Sequence, residues 1–180
     1  MLFVACATMA TSACSTHESK DTDPKGSPTP PAIQSTKPAD PTESAKKEAI
    51  ETYRDYWKEM EKTFASGTSQ GTGLRKYAAG TALFVAEDAA KKRHSKGQMM
   101  TGSVTVDNST VTKIDMERKV PSATLSSCLD ITRWNVVERS NNKPVPLPSD
   151  RLTRYVIAST IEKWPDGWKV IKDDPQVKPC

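Results

Sequence analysis

Four cysteines and two histidines (Cys6, Cys14, Cys128, Cys180, His17 and His94) are the residues of this chain with the widest chemistry open to them. A structural metal site gathers three or four such ligands, commonly through Cys-x-x-Cys pairs. No such pair occurs, and the histidines stand far apart, so no metal is expected. A Ser/His/Asp triad would have to use His94, which follows Lys91-Lys92-Arg93 rather than a carboxylate that could orient it. The glycine-rich run "GTSQGTGLRK" lacks the phosphate-loop spacing of four residues between glycines followed by Gly-Lys-Ser/Thr. No cofactor is expected either. The formal net charge is +4, and the densest cation cluster, Lys91 to Lys96, closes a helical pattern, where cations complement the helix dipole. It carries no interleaved aromatics, so no nucleic acid is expected as a partner.

Cys14 raises a different chemistry. The apolar run Leu2–Ala13 has twelve residues, too few for the roughly twenty of a spanning helix. It fits the core of a secretory signal, about 7–15 residues before a small-residue cleavage site. No Lys or Arg precedes Lys20, so the expectation is a start upstream of Met1 or a truncated chain. Ser12-Ala13-Cys14 resembles a bacterial lipobox, with Thr11 where leucine is usual. That resemblance implies a diacylglycerol on Cys14 and an anchor in the bacterial cell membrane, on its extracytoplasmic side. The other reading of Cys14 is an unmodified residue of the signal. Cys6 has too little signal ahead of it to compete. In an exported chain the remaining pair, Cys128 and Cys180, reads as a disulfide; in a reducing cytosol both would be free thiols.

The elements that must position these residues begin beyond a linker. Six of the thirteen prolines (Pro24, Pro28, Pro30, Pro31, Pro38 and Pro41) lie among Ser, Thr, Lys and Asp before Thr42. Such a stretch cannot bury enough apolar surface to fold. The expected organisation is a signal over 1–13, an attachment cysteine and disordered tether over 14–39, and one domain over 40–180. As a flexible coil the tether would span roughly 25–30 Å. Asp40-Pro41-Thr42-Glu43 has the form of a helix start, with Asp40 as cap, Pro41 at the first position and Glu43 at the capping-box position. Ile50, Tyr53, Trp57, Met60 and Phe64 recur at helical spacing, opposite Lys47, Arg54, Lys58 and Glu61, and Gly67 ends the pattern. A short helix over Leu74–Ala79 and a second long one from Thr81 to about Lys96 follow, the latter stopped by Gly97.

After Gly97 the texture becomes that of strands. "MMTGSVTVD" and "STVTKIDME" are expected to be joined by a turn at Asp107-Asn108, and are followed by "SATLSSCLDI" and "NVVER". A proline-bearing loop leads to "RYVIASTIEKW" and "GWKVIKD", a hairpin turning at Pro165-Asp166-Gly167 with Trp164 and Trp168 placed to pack across it. Helices first and antiparallel strands afterwards predict an α+β fold.

This order resembles the NTF2-like fold, a long first helix cradled in a curved antiparallel sheet that closes into a cone. The segments "YRDYWKEM", "LRKYAAGTAL", "TGSVTVD", "SSCLDITRW" and "RYVIASTIEKW", with Cys180, resemble a group of uncharacterised actinobacterial lipoproteins with such a (SnoaL/ketosteroid-isomerase-like) domain. The resemblance implies a cone-shaped pocket, and in some members isomerase-type chemistry, which uses a carboxylate base and a tyrosine hydroxyl. The candidates here are Asp130, Tyr53 and Tyr155, each of which also has an ordinary reading: aromatics as core, Asp130 as a strand-end group pairing with Arg133 or Arg154. The expected function is an exported, membrane-anchored lipoprotein with an extracytoplasmic binding or scaffold domain that is not an enzyme and whose partner is a small hydrophobic ligand or an envelope protein. The alternatives are an enzyme of that fold, and an envelope modulator such as a phage-encoded exclusion lipoprotein.

Overall fold

The computed structural model describes residues 40–180; the signal segment, Cys14 and the tether fall outside the described residues. Helix α1 (Pro41–Ser66) starts as its sequence requires, with the Asp40 carboxylate accepting from the Thr42 amide at 2.9 Å. Glu43 turns instead to Lys46, at 2.6 Å. The helix ends at Gly67 (φ 80°), whose amide donates to the Thr63 carbonyl. A β-carbon there would collide with the His94 ring, so both conformation and packing ask for glycine. Helix α2 (Leu74–Tyr77) is a single turn, and α3 (Gly80–Ser95) buries Ala82, Ala86 and Ala90 at four-residue spacing.

Six strands follow: β1 (Gln98–Gly102), β2 (Thr105–Asp115), β3 (Ser122–Asp130), β4 (Trp134–Glu138), β5 (Arg154–Trp164) and β6 (Gly167–Pro175). They form two antiparallel sheets, a four-stranded one in the order β2-β3-β5-β6 and a two-stranded one of β1 with β4. The α+β class and the long first helix stand, but the closed cone does not: both sheets are open. The reason lies at Gly102. There φ is 91° and a β-carbon would strike the Arg133 carbonyl, so the chain bends out of β1 before β2 begins. β1 therefore pairs with β4, from Gln98 opposite Glu138 to Gly102 opposite Trp134, and never extends the larger sheet.

The expected turn at Asp107-Asn108 is also absent. Asn108 takes a positive φ of 50° inside β2, at a break in register with β3 between Asp107 and Thr110, so it forms a bulge in a continuous strand. At the β5–β6 hairpin, Trp164 pairs with Gly167 and Trp168 with Lys163. Adjacent register positions face opposite sides of a sheet, so the two indoles do not meet: Trp168 is buried and Trp164 is exposed.

The core lies between α1 and the sheets. Tyr53, Tyr56, Trp57, Met60 and Phe64 from α1 pack with Leu125 and Leu129 of β3, Ile157 and Ile161 of β5, and Val170 of β6. A lone pair of strands is marginal in water, so the small sheet depends on this helix. Trp134 of β4 sits edge-on against Trp57 and Phe64, ring centroids 5.9 and 5.1 Å away. Each such pair adds about 0.5–1.5 kcal/mol beyond the burial itself. The outer edge of β6 is covered where Ala78 bridges Val170 and the Ala79 amide donates to the Val170 carbonyl.

Candidate functional site

Along the inner side of α3 the residues are alanines, and facing them α1 carries bulky aromatics. This mismatch leaves space. A solvent-open pocket of about 340 Å³ lies between the two helices and the ends of β5 and β6. Tyr56, Trp57, Met60 and Phe64 form one wall, Ala82, Ala86 and Ala89 the other, and Tyr155 and Ile157 of β5 lie beneath. Val85, exposed at 56%, stands at the mouth.

The polar end of the pocket is Asp173. Its Oδ1 accepts from the Tyr53 hydroxyl at 3.0 Å and the Ser159 hydroxyl at 2.6 Å, while Oδ2 has no partner among the described residues. Burial raises the carboxyl to a pKa of about 6, against the two hydroxyls, which favour the ion; the neighbouring Asp174 raises it further. Among the described residues no cation acts on it; Lys172 pairs with Asp174. Burial, and then the charge of Asp173, push Tyr53 and Tyr56 well above the usual tyrosine range and Tyr155 upward too. The Trp57 indole N–H is buried without a hydrogen-bond partner.

Asp130 takes no part in this. Residues 123, 125 and 129 of β3 face the core, so alternation sends Cys128 and Asp130 to the opposite face of the sheet. The Asp130 carboxylate accepts from the Thr132 amide at 2.9 Å and lies 3.7 Å from the Arg154 guanidinium. Its contacts with Thr132, aided by Arg154 and Arg133, hold it below the usual carboxylate range, the wrong direction for a general base at neutral pH. Of the two tyrosines, Tyr155 lines the pocket, while Tyr53 is fully buried and touches the site only through its hydrogen bond to Asp173. The Tyr53 hydroxyl is thus committed to a carboxylate and is not left facing a substrate oxygen.

Sequence reasoning missed Asp173 and Ser159. Ser159 did carry a signal: it stands between Ile157 and Ile161 in the core-facing phase of β5, where a hydroxyl requires a partner. Asp173 carried none. Counted from the buried Trp168 and Val170, strict alternation puts Lys172 inside and Asp173 outside. A bulge reverses this: Ile161 pairs with Val170 and Thr160 with Lys172, leaving Ile171 unpaired and turning Asp173 inward opposite Ser159.

Cys128 and Cys180 are joined by a disulfide, their Cα atoms 5.8 Å apart. The register explains how they meet. Cys128 lies opposite Val156, whose amide donates to the Lys178 carbonyl and whose carbonyl accepts from the Gln176 amide. The final residues thus run beside β5 and deliver Cys180 to β3. Among the described residues, no cluster of three His, Cys, Asp or Glu is placed to hold a metal ion, and no helix is long and apolar enough to cross a membrane. His94 meets Arg139, Nε2 to guanidinium 3.0 Å, away from any carboxylate in its hydrogen bonds. A larger, shallower hollow over the 67–72 loop is already internally paired: Glu87 accepts from Arg75 at 2.6 Å and from the Ser69 hydroxyl.

No family model matches the chain, and no curated protein matches it. The resemblance to actinobacterial lipoproteins with an NTF2-like domain is thereby overturned, together with the open sheets, and the descriptors lipoprotein, membrane and secreted lose the support they drew from it. Among solved structures, the chain is similar to the intermembrane space region of the chloroplast protein ARC6, at 12% identity and a TM-score of 0.48, over 74% of this chain and 96% of that one. A similarity this distant carries no argument about function.

Proposed function

We propose that this chain is a binding module that works outside the cytoplasm, at a cell envelope, by engaging a ligand or partner through the α1–α3 pocket. The observation that carries the reading is the pocket itself. A domain built only to fold would fill the space opposite Tyr56, Trp57 and Phe64, since unfilled volume in a core costs stability. Here alanines hold it open, and the exposed Val85 extends its apolar surface outward. The disulfide supports the location, because such bonds persist in oxidising compartments. A lipid on Cys14 would then hold the domain at the membrane.

The test of binding is an NMR titration of the full, oxidised chain with indole, a neutral apolar probe. The expected outcome is saturable movement of the Trp57 and Tyr155 signals, and its loss in Ala89→Trp, which fills the pocket. Indole that moves no pocket signal at millimolar concentration would remove the reading.

A further inference from the structure

We infer that the pocket takes a small amphipathic amine, with its apolar body against Tyr56, Trp57 and Phe64 and its ammonium on the free oxygen of Asp173. The inference rests on the pocket being a binding site and adds the class of ligand. Three observations converge on a cation. First, Asp173 is a half-buried carboxylate at the polar end of the pocket, and its hydrogen bonds among the described residues come from two neutral hydroxyls, both on Oδ1. A carboxylate drawn partly out of water is normally paired with a cation, and the described residues supply none: Lys172 is spent on Asp174. A ligand ammonium at Oδ2 is the missing counter-ion.

Second, the charged groups lining the pocket among the described residues are Lys172, Asp173 and Asp174, a net negative set that repels carboxylates and phosphates. Third, the wall is aromatic on the α1 side, and ring faces attract ammonium groups as well as apolar bodies. The volume, about 340 Å³, sits at the small end of ligand sites, so a compact amine fits and a long lipid chain does not.

The pH dependence follows from the groups around Asp173. Tyr53 and Tyr56 face it from α1, Ser159 and Tyr155 from β5, Lys172 and Asp174 from β6, and α3 contributes no charged group to the lining. The tyrosines stay neutral below pH 10, so Asp173 alone changes charge near pH 6. Amine binding should strengthen as pH rises through that value.

The experiment titrates the full, oxidised chain with 2-phenylethylamine, 2-phenylethanol and 3-phenylpropionate, matched in body and differing in head group. Binding is read from the same pocket signals at pH 7.5 and pH 5. The amine is expected to bind at least about tenfold more tightly than the alcohol at pH 7.5, and to lose most of that advantage at pH 5. The carboxylate should bind least. Asp173→Asn should abolish the preference for the amine, and Thr81→Trp, at an exposed position of the mouth, should weaken every probe without touching the core. Alcohol or carboxylate binding as tightly as the amine would overturn the ligand class and leave the binding module standing. Failure of all three probes would overturn both.

Discussion

At the scale of single residues, Asp173 is the position where structure and energetics pull apart. Its carboxyl titrates near pH 6 in the folded chain, against an ordinary value of 3.8. A group held more firmly protonated in the folded state lends stability below its unfolded pKa, and that stability is lost as pH rises through the folded one. The wild-type chain should therefore lose stability between about pH 4 and pH 6, on the order of 1–3 kcal/mol, from this residue. In Asp173→Asn the amide oxygen can still accept from Tyr53 and Ser159 while no charge develops. Its denaturation midpoint should equal or exceed that of the wild type at pH 8, and the difference should shrink at pH 4. Urea unfolding at the two pH values measures this, and a variant less stable at pH 8 than at pH 4, relative to wild type, would remove the assignment. Cys128 and Cys180 make the contrasting case. Their pairing was legible from the cysteine count once an exported chain was expected, because the two cysteines beyond residue 40 admit one partner each. Breaking the bond with Cys180→Ser should cost about 2–4 kcal/mol, read from the same unfolding curves. Hydrogen exchange should rise at Val156 and Lys178, whose backbone bond the disulfide keeps in register.

At the scale of elements, helices were more legible than strands, for a physical reason. The core face of α1 depends on residues three and four apart, and its ends on Asp40, Pro41 and Gly67, all local features. Strand facing has a period of two, so a single bulge inverts every residue beyond it. Ile171 does this in β6, and Asn108 interrupts register in β2 where a turn was expected. The partition into two sheets was hidden for another reason. It is decided at Gly102, by a clash with the carbonyl of Arg133, thirty-one positions away in sequence, which no local pattern encodes. Gly102→Ala tests this. It combines a positive φ with a collision against backbone, so it should destabilise by more than the ~1 kcal/mol of an ordinary strained substitution. Trp134 should feel it first, since Gly102 is its register partner. A fluorescence change ahead of global unfolding in urea is the expected sign; an unchanged midpoint would show that the bend does not need glycine.

At the scale of the whole molecule, the proposed location and the proposed pocket make separable demands. The pocket belongs to residues 40–180, which need only fold and keep the Cys128–Cys180 bond. The proposed location rests on Cys14, twenty-six residues before Asp40, the cap of α1. A diacyl group gives stable anchoring where a single chain holds only marginally, so modification at Cys14 should decide fractionation almost alone. The full chain, expressed in a bacterium with a signal that directs it to the lipoprotein pathway, should sediment with membranes and resist high salt. Cys14→Ser should move it to the soluble extracytoplasmic fraction, with the disulfide still formed and indole binding unaltered. High-salt release of the wild type would mean that charge, not lipid, holds it, which a net charge of +4 makes worth excluding directly. Unchanged fractionation of Cys14→Ser would refute the anchor and leave the pocket proposal standing, since that proposal is argued from described residues alone.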